Sequence, residues 1–236
     1  MKRILIGTFL SVIASTIFGI ASFAQTPSRA RVLKDVESRR EELTALEKSL
    51  LAPSEEDRIA YATLLRQSDT GIIRLIPREN KLTIGGAYYS FTRLTHEYGS
   101  GSDISLEQDF LSVGFAGADY GMLTNIGDVS LEDITLEHPS VGFLSEYVPA
   151  SKELDARSEY RRFSSGETIG GMPYKNRLPV EVKATYLLRS IDYNATDVLV
   201  AFKVVRKDID RSVVIVWKLV KKYPKPDLAR ANEPVN

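Results

Sequence analysis

Residues 85–149 read GGAYYSFTRLTHEYGSGSDISLEQDFLSVGFAGADYGMLTNIGDVSLEDITLEHPSVGFLSEYVP, and the composition of this segment decides what kind of fold to expect. The segment holds nine of the fifteen glycines of the chain, interleaved with Tyr and Phe. Glycine adopts the positive φ angles of tight turns, and aromatic rings bury large apolar areas. This pattern predicts a turn-rich, antiparallel β region.

The same segment is strongly acidic. It has ten Asp and Glu residues and no Lys or Arg between Arg93 and Lys152, although the whole chain has a net charge of zero. From residue 172 onward, the chain contains 13 basic and 7 acidic residues. Ion pairs between the acidic middle and the basic C-terminal part would account for this asymmetry.

Two groups of carboxylates in the acidic middle are candidate calcium ligands. Ca²⁺ prefers several carboxylate and carbonyl oxygens on tightly bent loops. Their spacing matches neither an EF-hand nor a nonapeptide repeat, and a solvated acidic face is the alternative interpretation. The candidate ligands are Asp103, Glu107 and Asp109 beside one loop and Asp128, Glu132 and Asp133 beside another.

Residues 1–24 have the pattern of a secretory signal peptide. Met1-Lys2-Arg3 is basic, residues 4–20 are largely apolar, and small residues precede a cleavage point before Gln25. The pattern predicts an exported protein located in the periplasm, at the cell surface or outside the cell. An uncleaved membrane anchor is the alternative, and no later stretch is apolar enough to span a membrane.

Residues 25–68 are predicted to form an N-terminal helical segment. Residues 28–51 contain no Gly or Pro and repeat apolar residues at helical spacing, so we expect one amphipathic helix that docks on the body of the protein. Pro53 ends it, and Ser54 followed by three acidic residues predicts a second helix that extends to about Arg66.

Residues 69–226 are predicted to form a β-rich domain. Apolar and polar residues alternate along its short strands, and three β-branched runs at 182–191, 197–206 and 212–223 predict an antiparallel meander. Residues 150–178 are expected to be a long loop, with a short helix over 151–162 as an alternative for its first part. Residues 227–236 are expected to be a flexible tail. The fold class is therefore α+β: an N-terminal helical pair, then a mainly antiparallel sheet or two packed sheets ending in a three-stranded meander.

Several classes of chemistry are disfavoured by composition. The chain has no cysteine, which excludes disulfides, thiol catalysis and thiolate metal sites. Without Lys2 and Arg3 it is slightly acidic, so nucleic acid is not an expected partner.

The triplet Asp69-Thr70-Gly71 resembles the active-site triplet of aspartic peptidases, in which the Asp carboxylate activates water together with a second Asp. The resemblance implies a carboxylate-dependent hydrolase with Asp69 as its catalytic residue. Here the triplet follows a predicted helix end rather than an apolar strand, and the chain has no second copy. A turn that ends the helix is the alternative interpretation.

The leading functional hypothesis is a non-catalytic envelope or extracellular module that binds an unknown protein or small ligand, with no cofactor other than the possible Ca²⁺. Tyr rings combine apolar area with a polar tip and are common in recognition surfaces. The alternative role for such rings is to fill the core. The predicted contact residues are Tyr88, Tyr89, Tyr98 and Tyr120.

Overall fold

The computed structural model describes residues 28–80, 82–96, 98, 101–115 and 117–229. The predicted signal peptide and residues 230–236 of the predicted tail lie outside the described residues. The described chain has a helical N-terminal part followed by mostly antiparallel sheets, which confirms the α+β class. Residues up to Arg40 and residues from Glu41 onward form separate compact units.

Five α-helices occur in the described chain. The second predicted helix is present but divides at Tyr61 into two short helices, and the first of them has a capping box between Ser54 and Asp57. None of these helices is long and apolar enough to cross a membrane. The helices are α1 (Arg29–Leu51), α2 (Glu55–Ala60), α3 (Ala62–Leu65), α4 (Gly142–Glu146) and α5 (Glu153–Ser165).

The end of α1 is held by a polar contact rather than by its apolar face. In the unit that begins at Glu41, the carboxylate of Glu47 is buried and accepts hydrogen bonds from the backbone N–H and the hydroxyl of Thr83. Leu43, Leu46 and Leu50 are exposed. The expected docking of this apolar face therefore does not occur at these three leucines, although Leu51 at the end of the helix is buried.

Eleven strands in the described chain form three antiparallel sheets. The first sheet has five strands in the order β1-β11-β10-β9-β5, the second has four in the order β2-β3-β4-β8, and the third is the hairpin β6-β7. The strands are β1 (Thr70–Leu75), β2 (Tyr88–Tyr89), β3 (Ile104–Glu107), β4 (Phe110–Ser112), β5 (Tyr120–Asn125), β6 (Glu167–Ile169), β7 (Met172–Tyr174), β8 (Arg177–Pro179), β9 (Thr185–Asp192), β10 (Thr196–Lys207) and β11 (Val213–Lys222).

The five-stranded sheet is covered on both faces. One face packs against the four-stranded sheet, so that Leu188, Phe202 and Trp217 share a core with Leu106 and Leu111. The residues that alternate with them pack against the short helices on the opposite face. Burial on both faces explains why β9, β10 and β11 have nearly continuous apolar sequences instead of a polar and an apolar side.

The three-stranded meander of β9, β10 and β11 is confirmed. Of the two alternatives, a single sheet or two packed sheets, the structure has two packed main sheets. The expected long loop at 150–178 is different in the structure. It contains α5, the β6-β7 hairpin and the start of β8. The short helix considered over 151–162 corresponds to α5, although only Ala156 and Phe163 of it are buried. Sequence reasoning missed the hairpin and the start of β8 because each strand has three residues, too few for a visible period.

Candidate ligand-binding site

Four side chains form a row across the outer face of the four-stranded sheet. Tyr88 of β2 lies opposite Ser105 of β3, which lies opposite Ser112 of β4, which lies opposite Arg177 of β8. Residues directly opposite each other in antiparallel strands point to the same face. The neighbouring apolar residues Ile104, Leu106 and Leu111 point to the other face and are buried in the core.

One end of α5 and the chain around Phe115 lie over this row and enclose a cavity of about 400 Å³. Its rings contact each other edge to face. The centroids of Tyr88 and Tyr98 are 4.6 Å apart, and those of Tyr88 and Phe115 are 5.4 Å apart. We call this space the Tyr88 cavity; its other lining residues are Arg78, Glu107, Ser112, Val113, Gly114, Tyr160, Ser164, Asn176 and Arg177.

Two hydroxyls of the row have no hydrogen-bond partner among the described residues. The Oγ atoms of Ser105 and Ser112 are both buried, and Ser105 is 0 % exposed. Most buried polar atoms in proteins do have a partner, in the protein or in ordered water. On the opposite wall, Asn176 Nδ2 donates a hydrogen bond to Ser164 Oγ at 2.8 Å, so these two side chains are partly satisfied by each other.

The charges of the cavity do not balance. Arg78 Nη1 lies 3.1 Å from Glu107 Oε1 and is paired with it. The Arg177 guanidinium carbon lies 4.3 Å from the centre of the Phe110 ring, and Arg177 forms no ion pair in the described chain. Among the described lining residues, two arginines and one carboxylate give an excess of one positive charge. Burial raises the pKa of Tyr88, so its phenol stays neutral near pH 7.

Two of the four predicted contact tyrosines lie in this cavity. Tyr98 is 60 % exposed and Tyr88 is 7 % exposed, so one ring is accessible and the other is a buried wall. Tyr89 instead packs against Phe91 and Trp217 in the core. Tyr120 is fully buried, and its hydroxyl bonds to Tyr147 Oη and to the backbone N–H of Ala150. The structure therefore supports the alternative role for Tyr89 and Tyr120, which is to fill the core.

Sequence reasoning missed Arg78, Ser112, Asn176 and Arg177 as site residues. They come from separate segments: the pairing of β4 with β8 brings Ser112 close to Asn176 and Arg177, and Arg78 comes from the turn after β1. A signal for Ser112 was present, because it alternates with the apolar residues Leu111 and Val113 and therefore had to point away from the core. Nothing in the sequence indicated that a helix covers this face.

The predicted calcium ligands do not form one site. Asp103 is fully buried and accepts from the N–H of Phe91, while Glu107, Asp109 and Asp128 pair with Arg78, Lys207 and Lys203. Glu132 bonds to the Ser130 hydroxyl and Asp133 is exposed. Within the described ranges, no three His, Cys, Asp or Glu side chains are arranged to hold a metal ion. Lysines of β10 thus neutralise two of the carboxylates individually, as the charge asymmetry indicated.

The Asp69-Thr70-Gly71 triplet lies where the turn after α3 leads into β1: Asp69 ends the turn, and Thr70 and Gly71 begin the strand. Asp69 is exposed with φ of 57°, and its carbonyl accepts from Leu219 N. Thr70 Oγ1 donates to the carbonyls of Leu64 and Gln67 at the end of α3. Gly71 lies opposite Trp217 and contacts its ring. Each residue of the triplet therefore has a structural role, in agreement with the interpretation as a helix-ending turn.

A second cavity of about 400 Å³ lies between the end of α4 and residues 223–227. The Arg189 side chain lines it, but that guanidinium already donates to both carboxylate oxygens of Asp197 and to the carbonyl of Leu144. The Arg189–Asp197 pair of this cavity is therefore engaged within the protein. The Tyr88 cavity is the stronger candidate because its Ser112 hydroxyl has no hydrogen-bond partner and its Arg177 has no ion-pair partner among the described residues.

Comparison of the chain with protein-family models, with curated proteins and with solved structures finds no match.

Proposed function

We propose that the protein is an exported, non-catalytic binding module that holds a sugar-sized ligand in the Tyr88 cavity. Export is inferred from the sequence pattern of residues 1–24. Binding is inferred from one observation: the buried hydroxyl of Ser112, which lines the cavity, lacks a partner among the described residues and lies beside a cluster of aromatic rings. A ligand that donates and accepts hydrogen bonds would satisfy it.

The lining of the cavity favours a hydroxylated ring over a purely apolar ligand. Aromatic side chains provide apolar surface against which the C–H face of a sugar can pack. Hydroxyl, amide, carboxylate and guanidinium groups alternate with those rings and supply both donors and acceptors, at Ser112, Ser164, Asn176, Glu107 and Arg177. The volume is within the usual range for small-molecule sites.

The test is a titration of the purified full chain with a panel of mono- and disaccharides. Binding is monitored by tyrosine fluorescence and by the melting temperature. A ligand that binds only the folded state raises this temperature. The informative variants are Tyr98→Ala, which removes the accessible ring, and Ser112→Ala, which removes one unpartnered hydroxyl. We expect Ser112→Ala to weaken binding about 2- to 12-fold, the range for loss of one hydrogen bond.

Matched controls separate binding from stability. Ile209→Ala removes an exposed apolar side chain from the turn before β11, and Thr124→Val removes a buried hydroxyl that also lacks a partner but does not line the cavity. Both controls should bind like the wild type. If Tyr98→Ala and Ser112→Ala also bind every responding sugar like the wild type, the Tyr88 cavity is not the binding site.

A further inference from the structure

We infer that the ligand of the Tyr88 cavity carries a carboxylate that pairs with Arg177, so that its chemical class is an acidic saccharide such as a hexuronate. This inference rests on the proposed function, because it assigns the ligand of the same cavity. It starts from the imbalance of charge: among the described residues, the one carboxylate that lines the cavity is held by Arg78, and Arg177 has no anionic partner.

Arg177 is exposed, and its guanidinium packs against one aromatic ring. The guanidinium carbon lies 4.3 Å from the centre of the Phe110 ring, within the range of a cation–π contact. A guanidinium that is packed against an aromatic ring keeps its N–H groups, which lie in its own plane, available for a second partner. This contact restrains the Arg177 side chain and leaves its hydrogen-bond donors open to solvent.

A second donor lies beside the first. Ser112 is directly opposite Arg177 in the pairing of β4 with β8, and its hydroxyl has no partner among the described residues. Side chains directly opposite each other in such a pair are close enough to share one bound group. One carboxylate can thus accept from the guanidinium and from the hydroxyl, while the ring that carries it packs against Tyr98.

Three probes test this assignment by isothermal titration of the full chain at low salt. Glucuronate has both the ring and the carboxylate, glucose has the ring alone, and acetate has the carboxylate alone. A hydrogen bond to a charged group contributes more than one between neutral groups, so glucuronate should bind at least about tenfold more tightly than glucose. Acetate should not bind measurably, because it lacks the ring.

The decisive variant is Arg177→Gln. It should remove most of the preference for glucuronate over glucose, because the loss of the charged pair weakens glucuronate binding more than the loss of a neutral hydrogen bond weakens glucose binding. Arg58→Gln removes the same charge from an exposed position on α2 and should leave both affinities unchanged. Arg177→Lys keeps the charge without the planar group, and it provides a second measurement if Arg177→Gln lowers the melting temperature.

The outcomes distinguish this inference from the proposed function. Equal affinities of the wild type for glucuronate and glucose would overturn the role of Arg177 while leaving the sugar-binding function intact. The same holds if glucuronate binds more tightly but Arg177→Gln keeps that preference. Absence of binding to both sugars and to the whole saccharide panel would overturn the proposed function and this inference together.

Discussion

Arg189 and Asp197 form a two-point ion pair inside the protein, with Nε–Oδ1 and Nη2–Oδ2 distances of 2.5 Å and 2.8 Å. They lie on the adjacent strands β9 and β10, and their side chains are 0 % and 2 % exposed. The Arg189 guanidinium also lies 3.2 Å from the centre of the Tyr223 ring. Its third hydrogen bond goes to Leu144 O at the end of α4, so one side chain connects the sheet to a helix.

Removing one partner of this pair leaves a buried charge without compensation, which costs about 3–5 kcal/mol. We therefore expect Asp197→Leu to lower the free energy of unfolding by that amount in urea titrations, and Arg189→Met/Asp197→Leu to recover part of the loss. The control is Arg157→Ala, which breaks the exposed pair with Glu153 on α5 and should cost less than about 1 kcal/mol. Equal effects of the two single changes would contradict this account.

Asp103 makes stability depend on pH. Its carboxyl is fully buried, and burial raises its pKa to about 7. Below about pH 4 the Asp103 carboxyl is protonated in both the folded and the unfolded chain, so this residue does not reduce the free energy of unfolding there. As the pH rises, the unfolded chain loses this proton first, so the free energy of unfolding falls up to about pH 7 and the loss is then complete. Asp103→Asn, which stays neutral, should therefore raise the melting temperature more at pH 8 than at pH 5.

The control for this experiment is Asp133→Asn, because Asp133 is exposed. Its melting temperature should follow the wild type at every pH. Asp119, whose pKa burial raises to about 6, contributes a smaller dependence of the same sign that Asp103→Asn does not remove. If the difference between Asp103→Asn and the wild type were the same at pH 5 and pH 8, the carboxyl would not titrate in this range.

Gly71 is required by the packing of Trp217. A methyl group on Gly71 would lie 2.6 Å from Cε2 of the indole ring, which is closer than real contacts allow. Gly71→Ala should thus force the ring or β1 to move and lower the free energy of unfolding by about 1–3 kcal/mol. Gly142→Ala, with open space around the added carbon and helical backbone angles, should be neutral or slightly stabilising.

The dispersed carboxylates predict no response to calcium. The melting temperature in excess Ca²⁺ should equal that in EDTA, because the six candidate ligands have separate environments and three of them pair with arginine or lysine. A rise of several degrees in Ca²⁺ that Asp128→Asn removes would show that these side chains do bind the ion. Asp133→Asn serves again as the exposed comparison.

The parts of the fold that sequence reasoning predicted are those with long periodic patterns. The β-branched runs of β9, β10 and β11 specify strands by themselves, and Ser54 with Asp57 specifies a helix start. The β6-β7 hairpin was missed because each strand has three residues, too few for a pattern. Its turn is visible in the sequence only as Gly170-Gly171.

The site was only half predictable for a different reason. Glycine and tyrosine content pointed to the segment that holds Tyr88 and Tyr98, but composition cannot tell Tyr98, which is exposed, from Tyr120, which is fully buried. That distinction depends on which strands pair. The partnership of Ser112 with Arg177 joins residues far apart in the chain, and no local pattern encodes it.

The pairing of β1 with β11 has a consequence for how the molecule is made. These are the first and last strands of the main sheet in chain order, yet they are neighbours in it. Topologies dominated by such distant contacts fold slowly, because a long loop must close before the contacts form. A chain that emerges from a ribosome or a membrane channel cannot complete this sheet until residues 213–222 have emerged. Until then the edge of β1 is open to pairing with other chains.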